Sequence, residues 1–92
     1  MNDSQQFNSV WDALESDPIK AENLKLRSSL MIAINEHIYE AELTQVEAAK
    51  LLHITQPRVS ALAKGKIEAF RVDTLINMAH RLGLHVTMKI AA

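Results

Sequence analysis

The sequence predicts a mainly α-helical protein, a compact bundle of short helices ending in one short C-terminal β-strand. Three observations predict it. Apolar residues recur at three- and four-residue spacing through most of the chain, the period of a helix with one buried face. Only two glycines and two prolines occur in 92 residues, and aromatics make up just 4%. A sandwich or barrel needs more turn formers than that. Near the end the period changes to two, the alternation of a half-buried strand. A chain of 92 residues forms one domain with one modest core, and 48% hydrophobic residues suffice to fill it.

Each element follows from local chemistry. Phe7, Val10, Trp11 and Leu14 fall on one face of a short helix. Asp17-Pro18 breaks it, because proline forces the residue before it into extended geometry. Pro18 then fits the first turn of the next helix, with Asp17 as its cap. That helix runs from Ile19 to about Ala41. Leu24, Met31, Ile34, Ile38 and Ala41 form its stripe, widened by Leu26, Leu30 and Ala33. Such a wide stripe predicts burial against other helices. Thr44 followed by Glu47 has capping-box spacing and opens a helix through Ala48, Ala49, Leu51 and Leu52. His53-Ile54 breaks the pattern. Thr55 caps a further helix, Gln56 to about Lys64, with Pro57 tolerated in its first turn and Gly65 as a left-handed stop. After a short link, a last helix starts at or beside Asp73. It buries Val72, Leu75, Ile76, Ala79 and Leu82 and ends at Gly83. Leu84, Val86, Met88 and Ile90 then alternate with His85, Thr87 and Lys89, predicting a strand. A lone strand leaves its backbone groups unpaired, so it must pair with another chain or with a further segment of this one, or else fray; a second copy is the candidate partner.

Composition excludes several function classes. There is no cysteine, hence no disulfide and no thiolate nucleophile or zinc ligand. The N-terminus lacks the basic start and apolar run of a signal peptide, and no apolar run approaches the roughly 20 residues of a membrane span. The expectation is a cytoplasmic protein without membrane association. His37, His53, His80 and His85 show no helical ligand spacing, and no glycine-rich phosphate loop exists. Nothing predicts a metal, a cofactor or a catalytic centre. Net charge is -1, which excludes a polycation that coats nucleic acid but not a local basic patch. Charge is in fact segregated. Residues 1–43 carry eight carboxylates against three cations, a net of -5. Residues 44–66 carry Lys50, Arg58, Lys64 and Lys66 against Glu47, a net of +3.

The basic island coincides with the two short helices. Ala49 is small where a second helix crosses closely, and Ile54, Val59 and Leu62 face inward to lock the pair. Gln56, Pro57, Arg58, Ser60, Ala61 and Lys64 are left on the outer face. Glutamine can pair bidentately with adenine and arginine with guanine in the major groove. Thr55 can offer hydroxyl and amide to a phosphate, and Lys64 and Lys66 can neutralise backbone charge.

The stretch TQVEAAKLLHITQPRVSALAKGK resembles the helix-turn-helix of the Cro/C1-type (XRE) repressor family. The flanking segments LRSSLMIAINEHIYEAELTQ, ITQPRVSALAKGKIEAF and VDTLINMAHRLGLHVTMKI resemble its HigA-type antitoxin branch and related stand-alone regulators. The likeness covers roughly residues 7–90. It implies a lambda-repressor-like fold, binding to double-stranded DNA as a homodimer and transcriptional repression. It also implies residue roles: Gln45 at a phosphate, Gln56 as the leading base reader, Arg58 at a guanine. Ala61 stands where a longer polar reader is common and offers only a methyl group. Lys64 and Lys66 match phosphate contacts. His53 departs from the family, which usually has glycine at the turn. The antitoxin likeness further implies a small basic toxin as partner of the acidic N-terminal half. By this reading residues 1–17 are an N-terminal segment with a short amphipathic helix. Residues 18–83 form the DNA-binding domain, and 84–92 the strand and dimer element. The rival reading is a protein-interaction adaptor that has lost DNA binding.

Overall fold

The computed structural model describes residues 10–92; Phe7, assigned above to the first apolar face, lies outside the described residues. Helix α1 occupies 10–14. It is followed by α2 (Pro18–Glu40), α3 (Gln45–Leu52), α4 (Gln56–Ala63), a 3-10 turn (Ile67–Ala69) and α5 (Val72–Arg81).

The helix starts follow the predicted chemistry. Asp17 caps α2 by accepting from the Ile19 amide at 3.0 Å, with Pro18 in the first turn. At α3 both halves of the capping box form. The Thr44 amide donates to Glu47 Oε1 at 2.9 Å, and the Glu47 amide donates to Thr44 Oγ1 at 3.1 Å. Thr55 caps α4, although its hydroxyl sits a long 3.4 Å from the Arg58 amide.

The helix ends share one device. Glu42, His53, Gly65 and Gly83 have positive φ, at 54°, 58°, 70° and 83°. Each is followed by a residue whose amide returns to a carbonyl of the last turn: Leu43 to Ile38, Ile54 to Ala49, Lys66 to Ala61 and Leu84 to Ala79, at 3.0–3.1 Å. These paired return bonds satisfy carbonyls that a helix end otherwise leaves orphaned. Leu43, Ile54 and Leu84 also turn their side chains onto the core.

The core gathers where α2 crosses α5 and where both meet the α3–α4 pair. Ile34, Leu52, Leu62 and Leu75 are fully buried, joined by Leu24, Met31, Val59, Met78 and Phe70. The α2 stripe is narrower than predicted: Leu26, Ala33 and Ala41 are exposed. Leu51 of α3 is exposed too. Trp11 packs against the core, whereas Val10 and Leu14 on the same predicted face remain largely exposed. Lys25 ties α1 to α2 through Asp12 at 2.6 Å and pairs with Glu22 at 3.2 Å.

The predicted C-terminal strand does not form: among the described residues there is no strand. The physical reason is the unpaired edge. A ladder needs a second extended segment, and helices occupy the rest of the described chain. Leu84 is anchored on the core, but Val86, Met88 and Ile90 are exposed rather than sharing a buried face.

Candidate nucleic-acid interface

The candidate interface is built on α3, the turn at His53-Ile54, and α4. Ala48, Ala49 and Leu52 bury one side of α3, and Val59 and Leu62 bury one side of α4. Alanine at 49 leaves room for the close helix crossing. Two side chains from outside the pair fix it further. Asn35 Nδ2 on α2 donates to the Leu62 carbonyl at 2.9 Å, and Arg81 Nη1 at the end of α5 donates to the Leu52 carbonyl at 3.4 Å. Both bonds end on helix C-terminal carbonyls, so they hold α3 and α4 at a set angle to the core.

The turn itself departs from ideal chemistry. His53 adopts φ 58°, ψ 42°, the left-handed region. A Cβ crowds the following carbonyl there, which glycine avoids.

The first turn of α4 exposes Gln56, Pro57 and Arg58, just after the exposed cap Thr55. Pro57 has no amide proton, and the Arg58 and Val59 amides both return to the Thr55 carbonyl at 3.1 Å. Among the described bonds, that leaves the Gln56 amide as the N–H of this turn without a backbone acceptor. Lys64 and Lys66 are exposed at the other end of the helix, on either side of Gly65. Eight residues of α-helix separate the two ends by about 12 Å. Ser60 and Ala61 are half-buried, not outward as predicted, and Ala61 packs against the core. Gln45 is exposed at the first turn of α3. Among the described residues, Lys50, Arg58, Lys64 and Lys66 form no ion pair, and neither do Arg27, Arg81 and Lys89 elsewhere in the chain. The basic island of the sequence is carried by exposed side chains of α3, α4 and the Gly65 turn, with Lys50 acting on the nearby Glu47 carboxylate.

One feature of Arg58 has no signal in the helical periodicity. Its guanidinium carbon lies 4.6 Å from the centroid of the Phe70 ring, and Nη2 donates to the Ala69 carbonyl at 3.4 Å. Ile67 and Phe70, in the segment read above only as a short link, are both core residues.

A family model for a helix-turn-helix domain matches residues 15–91. The chain is also similar to a solved structure named as an XRE family transcriptional regulator. The two are 37% identical with a TM-score of 0.75, over 79% of this chain and 82% of that one. The chain belongs to the XRE-type helix-turn-helix family. No curated protein matches it significantly. In this XRE-type protein α3 and α4 are the two helices of the motif and His53-Ile54 is its turn. Among the described residues, no three histidine or acidic side chains are grouped as metal ligands would be, and no helix is long and apolar enough to cross a membrane.

Proposed function

We propose that the chain is a sequence-specific, double-stranded DNA-binding transcriptional regulator that acts as a repressor, with α4 reading the major groove. The observation that carries this reading is the exposed first turn of α4, in a helix pair held by bonds from α2 and α5, with exposed Arg58 in that turn and exposed Lys64 and Lys66 beyond the far end. Gln56 is suited to adenine and Arg58 to guanine, each through two parallel hydrogen bonds. Thr55 and the Gln56 amide suit a phosphate, as do Gln45, Lys64 and Lys66. Pro57, Ser60 and Ala61 would shape the fit rather than read bases by hydrogen bonds. A single module makes few base contacts, so the protein is proposed to act as a homodimer on two half-sites about one helical turn apart.

The XRE-type neighbour named as a transcriptional regulator supports this reading. The antitoxin form adds a small basic toxin partner. Glu36, Glu40 and Glu42 are exposed toward and just past the end of α2 and, among the described residues, form no ion pair, a charge suited to steering such a partner.

The test is binding of the full chain to the DNA upstream of its own gene, against scrambled DNA, over a range of salt. Preferential binding that weakens steeply with salt is expected, because each phosphate contact releases counterions. Equal weak binding to both would overturn the reading in favour of a protein-interaction adaptor. A neighbouring gene encoding a basic protein that binds this chain and tightens its DNA binding is the outcome expected of the antitoxin form.

A further inference from the structure

We infer that Phe70 and the Ala69 carbonyl form a shelf that holds the Arg58 guanidinium in a base-reading pose, making Phe70 a specificity-determining positioning residue. The inference rests on the reading of α4 above and extends it to residues that lie outside the helix-turn-helix unit. Arg58 stands in the first turn of α4, while Ala69 and Phe70 close the 3-10 turn that follows Gly65. The Arg58 cation lies 4.6 Å from the Phe70 ring centroid, within the range of a cation–π contact. Its Nη2 gives one proton to the Ala69 carbonyl.

The shelf is rigid where the arginine is not. Phe70 is 1% exposed, with Ile67 beside it in the same core. The 3-10 turn packs on α2, so the ring belongs to the body of the protein. Arg58 itself is exposed, and a free arginine side chain samples many rotamers. Resting a planar cation on a fixed ring and a fixed carbonyl selects among those rotamers before DNA arrives. A guanidinium has five N–H donors in a rigid fork. One is used by Ala69, which leaves a pair for the parallel bonds that guanine O6 and N7 accept. The contact thus orients the reading group without exhausting it. A lysine at 58 would keep the charge and lose both the stacking and the fork.

The test separates this proposal from the one beneath it. The full chain is incubated with a pool of duplex DNA of randomised sequence, and bound sequences are read for the unaltered protein, Arg58→Ala and Phe70→Leu. The unaltered protein should prefer guanine at one position per half-site by about tenfold or more. Arg58→Ala should flatten that position. Phe70→Leu, which keeps an apolar side chain in the core, should reduce the same preference to about threefold or less and leave the other positions sharp. Full preference in Phe70→Leu alongside loss in Arg58→Ala would overturn the shelf and leave the reading of α4 standing. An unchanged profile in Arg58→Ala would overturn both roles of Arg58. Failure of the unaltered protein to select any sequence would overturn the proposed function and this inference with it. A second measurement needs no variant to fold. In the NMR spectrum of the free protein, the Arg58 δ-protons should be shifted upfield by the Phe70 ring current. Random-coil positions for them would overturn the pre-set pose.

Discussion

His53 sits at the one joint that sets the pitch of α4, and it does so in a conformation that disfavours its own side chain. Its φ of 58° costs a residue with a Cβ about 1–2 kcal/mol relative to glycine. The imidazole is exposed, so its removal sacrifices no core contact. His53→Gly should therefore raise stability by about 1 kcal/mol, part of the gain being offset by glycine's greater freedom in the unfolded chain. His53→Val should lower it, since β-branched residues tolerate this region least. Urea denaturation of the three proteins checks the order; a less stable glycine variant would show that the histidine makes a contact worth more than the strain. The joint was legible because a break between two apolar periods marks a turn whatever residue fills it. Phe70 was not legible. Between Lys66 and Arg71 no period runs long enough to assign a face, and the ring is buried by packing of the 3-10 turn on α2, far away in sequence. Ser60 and Ala61 depart from their predicted outward direction for a related reason: an eight-residue helix clamped on both flanks hides more of its circumference than an isolated amphipathic one.

At the level of elements, the start of α3 carries a titratable bond. The Thr44 amide donates to the Glu47 carboxylate and, as the larger of the causes, holds that carboxyl below the ordinary glutamate range. A group whose pKa falls on folding binds protons more readily when unfolded. Its stabilisation is therefore present above the unfolded-state value, about 4.3, and is lost as pH falls through the lower folded-state value. Glu47→Gln should be less stable than the unaltered protein at neutral pH, and the gap should close on acidification through that window. Thermal melts from pH 7 down to pH 3 test it; a gap independent of pH would mean that the carboxylate's charge contributes nothing. The capping box was readable from the spacing of two residues, because both of its bonds are local. The end of α2 was less so. Glu42 performs there the left-handed stop that Gly65 and Gly83 perform elsewhere, and nothing in a glutamate announces it.

For the whole molecule, the charge halves and the tail matter most. The carboxylate-rich N-terminal half and the basic α3–α4 unit belong to one helical body, so the proposed DNA contact and the proposed basic partner would draw on different residues of it. The alternation of the C-terminal tail is genuine and predicts a strand; a strand also needs a partner, which no single-chain pattern can supply. Met88 and Ile90 remain exposed apolar groups beyond the last core anchor, Leu84. Truncation after Leu84 should leave the melting temperature of the helical body nearly unchanged, because the removed residues are exposed. If the tail carries the proposed homodimer contact, sedimentation of the truncated chain should report a monomer with weakened DNA binding. An unchanged dimer would take the tail out of that interface.

The four left-handed helix ends also limit where the chain can grow. In each, the residue after the stop is already hydrogen-bonded back into the turn it leaves, and three of the four are packed on the core. Such a joint has no slack. One added residue at 42–43 or 53–54 would separate the stop from its return bond and rotate the next helix away from its seat, and one at 83–84 would lift Leu84 off the core. The 3-10 link, braced by buried Ile67 and Phe70, is hardly freer. A tag, a peptide graft or an evolutionary insertion therefore has room beyond Leu84. At the joints ahead of it the molecule can change its side chains more readily than its length.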